Sequence, residues 1–144
     1  MASHIIRIAA ALLVGGGGKV LLVRKQGTTA FMQPGGKIEA DEAAMEALIR
    51  ELHEELGLTV SPSSPQYIGR FCAIAVNEPD AVVEAEVFKI AVVQGVHVAA
   101  EIAEARWVDP FEAFDLELAP LTRDHILPAY RAMLGELNKR DAHQ

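Results

Sequence analysis

Residues 34–58 read PGGKIEADEAAMEALIRELHEELGL, and the rest of the chain is placed from this stretch. Pro34-Gly35-Gly36 predicts a turn that forbids regular structure. From Asp41 or Glu42 to Leu56 the residues are rich in Ala, Glu, Leu and Met, which favours a helix, and Gly57 stops it. At about 100° per residue, Met45, Leu48, Ile49, Leu52 and Leu56 fall on one apolar stripe. Glu51, Glu54 and Glu55, at i, i+3 and i+4, share an adjoining strip, and Arg50 lies one turn from both Glu46 and Glu54. Like charges at those spacings repel, so three glutamates on one strip need something to offset the repulsion. A hard divalent cation does this well, because Mg²⁺ takes oxygen ligands from a few carboxylates, waters and substrate phosphates. Taken without its surroundings, Glu-x-x-Glu-Glu is more simply a solvated acidic face.

Working outward, Ile5 to Val14 and Lys19 to Arg24 predict two strands joined by the glycine turn Gly15 to Gly18. No helix opens after these glycines and no Gly-Lys-Ser/Thr follows, so they are not a phosphate-binding loop. Gln26 to Ala30 predicts a polar turn, Phe31 to Gln33 a short extended piece, and Ser61 to Pro65 a loop. Tyr67 to Val76 and Val82 to Val93 predict two long strands around the turn cluster Asn77-Glu78-Pro79-Asp80. Arg106 to Val108 predicts a short strand, Asp109-Pro110 a helical turn over Phe111 to Phe114, and Leu121 to Asn138 a helix that Pro128 bends or restarts. The order β-β-β-α-β-β-β-α-α favours an α/β (α+β) sandwich with helices packed on a mixed sheet.

Composition sets limits on partners. The 144 residues suit one domain, residues 1–144, and 51% of them are hydrophobic, enough for a packed core. A net charge of −7 and 13 unclustered Lys and Arg argue against a nucleic-acid polymer as the main partner. A small anionic ligand stays compatible, since a bound cation inverts the local sign of an acidic site. Cys72, the single cysteine, lies in the apolar stretch Phe71 to Val76 and is expected to be a buried packing residue. One cysteine fits a reducing cytoplasm, and no segment reaches transmembrane length.

Gly36, five residues, Glu42, seven residues, Arg50-Glu51-Leu52, one residue, Glu54-Glu55, one residue, Gly57-Leu58 forms a run of nine fixed or restricted positions over 23 residues. This is similar at every defined position to the Nudix box, G-x5-E-x7-R-E-U-x-E-E-x-G-U with U aliphatic. The chain resembles the Nudix superfamily and, through Pro34 to Glu39, its small MutT-type members. The resemblance implies a Nudix-type α/β/α sandwich with a central mixed sheet. It also implies an Mg²⁺-dependent hydrolase (Mn²⁺ admissible) that cuts a diphosphate linkage in a small-molecule nucleotide. By the same resemblance, Glu51, Glu54 and Glu55 and the carbonyl of Gly35 are the metal ligands. Glu54, Glu51 and Arg50 are the catalytic set, with Arg50 orienting the glutamates. Gly36, Glu42 and Gly57 are structural, Glu42 favoured near the helix start by the helix dipole. Arg24 is similar in position to a residue that meets a substrate phosphate. The general base is Glu51, Glu54 or a later glutamate among Glu84, Glu86, Glu101 and Glu104, with Glu104 nearest to where relatives place an extra ligand.

MutT-type members remove pyrophosphate from (deoxy)nucleoside triphosphates, and that is the implied activity. Leu118-Ala119-Pro120-Leu121-Thr122 lacks the asparagine with which some of them read a purine edge, so a preference for oxidised guanine does not follow. ADP-ribose or nucleotide-sugar diphosphatase is the alternative within the superfamily, and a non-catalytic nucleotide-sensing Nudix module is the alternative outside enzymes. Many relatives are dimers, so a homodimer stays open.

Overall fold

The computed structural model describes residues 4–75, 78–99, 101–112 and 115–142, with side chains described up to Leu137. Its strands are β1 (His4–Val14), β2 (Val20–Lys25), β3 (Gly35–Lys37), β4 (Gln66–Ile74), β5 (Ala81–Ala91) and β6 (Ile102–Val108). Its helices are α1 (Ala44–Leu56) and α2 (Leu127–Ala142). The strands form one mixed sheet in the order β4-β5-β1-β2-β6, with β3 also paired to β1.

The long parallel β1–β5 pairing runs from His4↔Ala81 to Val14↔Ala91, and every other ladder is antiparallel. β1 is covered on both faces, which explains why Ala9 to Leu13 is a continuous apolar run rather than an alternating one. Ala9, Ala11 and Leu13 pack with Leu48, Leu52 and Leu56 of α1. Ala10 and Leu12 pack on the opposite side with Ile126 and Tyr130 of the C-terminal helical segment. Period-2 alternation along one strand therefore feeds two cores, one under each helix, and the result is the expected α/β/α sandwich.

Several local expectations are corrected. The Pro34-Gly35-Gly36 segment is not free of regular structure, because Gly35–Lys37 pairs with β1 at Ala10↔Gly35, Ala9↔Gly36 and Ile8↔Lys37. Gly35 takes φ +147, open to glycine and strained for other residues, so the turn residues double as a strand. Helix α1 begins at Ala44 rather than at Asp41 or Glu42. Asp41 has a positive φ of 64, and Glu46 caps the helix by accepting from the Ala43 N–H at 3.0 Å.

Cys72 is exposed rather than buried. β4 is an edge strand paired with β5, and Cys72 alternates along it with the half-buried Phe71 and Ala73, at a cavity it shares with Pro120, Arg123 and His125. β6 is longer than Arg106 to Val108, because pairing with β2 carries it back to Ile102. Of the helical turn expected at Phe111 to Phe114, Phe111 and Glu112 form a turn and bend, and Ala113 and Phe114 lie outside the described residues, as do Val76 and Asn77. The final helix is restarted before Pro128. A π-helical turn over Thr122–Ile126 precedes α2, since proline supplies no N–H and its ring displaces the carbonyl four residues back.

Candidate active site

The site is assembled where β3, the end of β2 and the second half of α1 meet. A cavity of about 390 Å³ there is lined by Lys25, Gly36, Lys37, Glu51, Glu54, Glu55 and Glu101. The three helix glutamates thus share one cavity, but their surroundings differ sharply.

Glu55 is 5% exposed and accepts a hydrogen bond from the Gly35 N–H at 3.2 Å. Burial pushes its carboxyl up to about 7; the Gly35 bond and Lys25 oppose that rise, and Glu51 and Glu101 reinforce it. Glu51 is held by Arg50, whose Nη1 donates to Oε1 at 2.8 Å. Its carboxylate rests on Gly36, where an added Cβ would lie 2.5 Å from Glu51 Cδ. Glu54 is the most open, with its side chain 54% exposed and its Oε2 3.8 Å from Arg50 Nη1.

Arg50 organises this set. It donates to both oxygens of Glu42 at 2.9 Å, to Glu51 and to the Lys37 carbonyl at 3.3 Å. The bidentate bond from Arg50 holds the Glu42 carboxyl down to about 2, helped by the Glu39 N–H. The same partners raise the guanidinium further above its ordinary range. Glu46, one turn away, is not its partner, because Glu46 is occupied in capping α1. Glu42 therefore serves as a brace for Arg50, standing outside the helix whose dipole was expected to favour it. Gly57 closes α1 in the left-handed region at φ 67, and the Leu56 and Glu55 carbonyls beyond the last helical bonds accept from His97 N–H and Ala99 N–H, both at 2.9 Å.

Arg24 and Glu104, both expected at the site, lie elsewhere. Arg24 donates to the Thr28 carbonyl at 2.9 Å and pairs with Glu104 at 3.4 Å, and neither Arg24 nor Glu104 lines the cavity. The basic residue that does is Lys25, the neighbour of Arg24. Glu84 and Glu86 are paired with arginines: Glu86 with Arg70 at 3.0 Å, Glu84 with Arg7 at 3.5 Å and Arg70 at 3.6 Å. Among the four later glutamates, Glu101 is the one at the cavity. The strand register explains this, since Lys25 pairs with Ile102 and the Gln26 N–H donates to the Glu101 carbonyl at 2.7 Å. Reading that register from the sequence would have required knowing that β6 starts at Ile102.

A second cavity of about 230 Å³ shares Lys25 with the first. Its wall is apolar, made by Ile6, Ile8, Met32, Val83, Ala119 and Leu121 among others, with Thr28, Lys25 and Glu78 as its polar members. Lys37 of the first cavity reaches Glu78 of the second at 3.9 Å. No sequence signal marked this cavity, because its residues come from five separate segments.

Among the described residues no group of three or more His, Cys, Asp or Glu side chains stands together so that it could hold a metal ion by itself. The residues nonetheless fit a hard divalent cation. Four carboxylates face two ammonium groups in one cavity, and every carboxylate ligand they offer is a hard oxygen. Mg²⁺ needs few protein ligands, because it keeps waters and adds substrate phosphates.

Glu55 also gives a pH signature. Its folded-state carboxyl lies above the ordinary 4.5, so the folded form binds the extra proton and gains stability fully present below about 4.5. That stability is lost as pH rises through about 7. The expected loss is roughly 3 kcal/mol across this window in chelator. Urea unfolding from pH 4.5 to 8 should show it in the native protein and not in Glu55→Gln; equal slopes for the two would refute the assignment.

A family model of the NUDIX domain matches residues 4–130. The fold is similar to a MutT protein from Methanosarcina mazei Go1, with TM-score 0.77 and 26% identity over 92% of this chain and 97% of that one. It is similar also to the E. coli ORF135 protein, with TM-score 0.69 and 26% identity over 92% and 91% of the two chains. A shorter stretch is 51% identical over 41 residues to an RNA pyrophosphohydrolase of Halorhodospira halophila (strain DSM 244 / SL1), spanning 28% of this chain and 23% of that relative. Among the described residues no helix is long and apolar enough to cross a membrane. With Gly36, Glu51, Glu54 and Glu55 of the box at one cavity and the family model covering most of the chain, the chain belongs to the NUDIX domain family, and its fold is similar to that of MutT proteins.

Proposed function

We propose that residues 1–144 act as a single Nudix domain that hydrolyses nucleoside triphosphates and their deoxy forms to the monophosphate and pyrophosphate, with Mg²⁺ as the working ion and Mn²⁺ as a substitute. The observation that carries this reading is the pair of cavities joined at Lys25, one acidic and one apolar. A nucleotide has the matching polarity: a polyanionic chain at one end and a base at the other.

Glu51, Glu54 and Glu55 and the Gly35 carbonyl are the groups that hold the ion, and Arg50, braced by Glu42, fixes where the Glu51 carboxylate points. When bound, the ion neutralises charge on the diphosphate and makes the attacking water more acidic. Lys25 and Lys37 supply positive charge to phosphate oxygens. Glu54, open to solvent, or Glu101, in the turn that precedes β6, takes the proton from water. The apolar cavity takes the base, and its low polarity excludes water from that end of the substrate.

The test follows nucleoside monophosphate formation, by chromatography, from a panel of NTPs, ADP-ribose and nucleotide sugars, with Mg²⁺, with Mn²⁺ and with chelator; pyrophosphate is the co-product from the NTPs only. Metal-dependent turnover of NTPs with little turnover of the others supports the reading; tight nucleotide binding without turnover would make this a sensor. Lys25→Ala is expected to raise KM on the order of tenfold, and Arg24→Ala to leave KM near the native value. The reverse ranking would restore Arg24 as the phosphate contact. A second reading, removal of pyrophosphate from a 5′-triphosphorylated RNA end, is favoured by the local match to an RNA pyrophosphohydrolase. A short 5′-triphosphate oligonucleotide in the same panel separates the two.

A further inference from the structure

Among the described residues, Gln33 Nε2 is the buried side-chain polar atom without a hydrogen-bond partner. Gln33 is 7% exposed, and its amide oxygen accepts from the Thr122 hydroxyl at 2.5 Å. An unmade bond at a buried donor is costly, whereas an apolar side chain of the same size would carry no such cost. The structural role of the pair therefore does not account for a glutamine here.

Its location does. Met32, just before Gln33, and Ala119, Pro120 and Leu121, just before Thr122, all line the apolar cavity. The Phe31 carbonyl accepts from the Ala119 N–H at 2.9 Å, so the two segments run side by side and both contribute to that wall, with Gln33 and Thr122 next in the chain. Apart from Thr28, Lys25 and Glu78, the wall offers no polar side chain to a ligand. With Lys25 shared with the acidic cavity, the next buried donor along the chain without a partner is the Gln33 amide nitrogen, beside Met32 of the wall.

We propose that Gln33 is a specificity-determining residue whose amide N–H donates to an oxo group on the base of the substrate, so that the enzyme favours 6-oxopurines and 4-oxopyrimidines over their amino counterparts. This rests on the reading of the apolar cavity as the base site. Thr122 holds the carbonyl end and so leaves the nitrogen, not the oxygen, for the ligand. Guanine and uracil present an oxo acceptor where adenine and cytosine present an amino donor, and a donor facing a donor leaves both unpaired. In the free protein the nitrogen is covered and Gln33 does not line the cavity, so the proposed contact requires the Met32–Gln33 segment to shift when a base enters.

The test compares kcat/KM for GTP against ATP and for UTP against CTP, pairs in which ring size cancels. Both ratios are expected on the order of 10 or more in the native enzyme. Gln33→Leu should bring both to about 1, and Gln33→Leu/Thr122→Val, which removes both partners of the buried pair, should do the same with a melting temperature near the native one. Thr122→Val, which frees the amide to turn over, should shrink both ratios without removing the amide. Ratios unchanged in Gln33→Leu, or an amino preference in the native enzyme, overturn the proposal. Ribose 5-triphosphate completes the panel. Its hydrolysis as efficiently as the NTPs would overturn the base-site reading itself, whereas base-dependent hydrolysis insensitive to Gln33 would overturn this inference alone.

Discussion

Glu54→Gln and Glu51→Gln are each expected to lower kcat by on the order of 10²- to 10³-fold, an effect of about 3–4 kcal/mol on the barrier. Both substitutions keep the shape of the side chain and remove the charge that faces the diphosphate. They should differ in their dependence on the ion. Glu51 lies against Gly36 and is fixed by Arg50, so its loss leaves Arg50 with an unanswered N–H and a weakened hold on the cation. Glu54 has its carboxylate 3.8 Å from Arg50 and mostly in solvent, a better position for exchanging a proton with bulk water. Steady-state kinetics over a Mg²⁺ titration checks this: Glu51→Gln should raise the Mg²⁺ concentration needed for half activity more than Glu54→Gln does. Near-native kcat in both variants would remove the helix glutamates from the reaction.

The largest effect on stability is expected from Gly35→Ala. A Cβ on Gly35 would lie 2.1 Å from the Ala9 carbonyl oxygen and 2.9 Å from Ala10 Cα, and φ +147 is strained for alanine in any space. Ala9 and Ala10 belong to the buried half of the central strand, so neither can retreat. Destabilisation of about 3 kcal/mol or more follows, roughly a 10 °C fall in melting temperature, with loss of activity as β3 leaves β1. Gly36→Ala is the informative comparison. Its Cβ meets the flexible Glu51 side chain, which can swing aside, so the fold should survive while the glutamate is displaced. Scanning calorimetry and activity on the two variants should therefore separate: Gly35→Ala loses both, Gly36→Ala mainly activity. A native melting temperature for Gly35→Ala would show that β3 is not seated as described.

The two glycines illustrate how far local patterns reach. Their spacing to Glu42, Arg50 and Gly57 carries the resemblance to the Nudix box, and local chemistry explains much of the box without further information. A helix needs its stop, and the glutamates must fall together once α1 is a helix, because 100° per residue leaves no alternative. The continuous apolar run of β1 likewise announces a strand covered on both faces. Cys72 misled because an apolar stretch says nothing about whether a strand ends up at the edge of its sheet. Arg24 and Lys25 are neighbours on β2, and the register, which shifts between them, decides that Lys25 and not Arg24 lines the acidic cavity.

The sequence by itself thus determined the family, the α/β/α arrangement and the helix that carries the carboxylates, since all of these depend on periods and spacings within short segments. Only the tertiary structure decided that Glu55 is buried while Glu54 is open, that Glu101 and Lys25 rather than Glu104 and Arg24 complete the acidic cavity, and that an apolar cavity with Gln33 next to its wall residue Met32 adjoins it. The reason is physical: burial, strand register and cavity walls are set by contacts between residues far apart in the chain, and no local pattern encodes which distant segment will supply the other side.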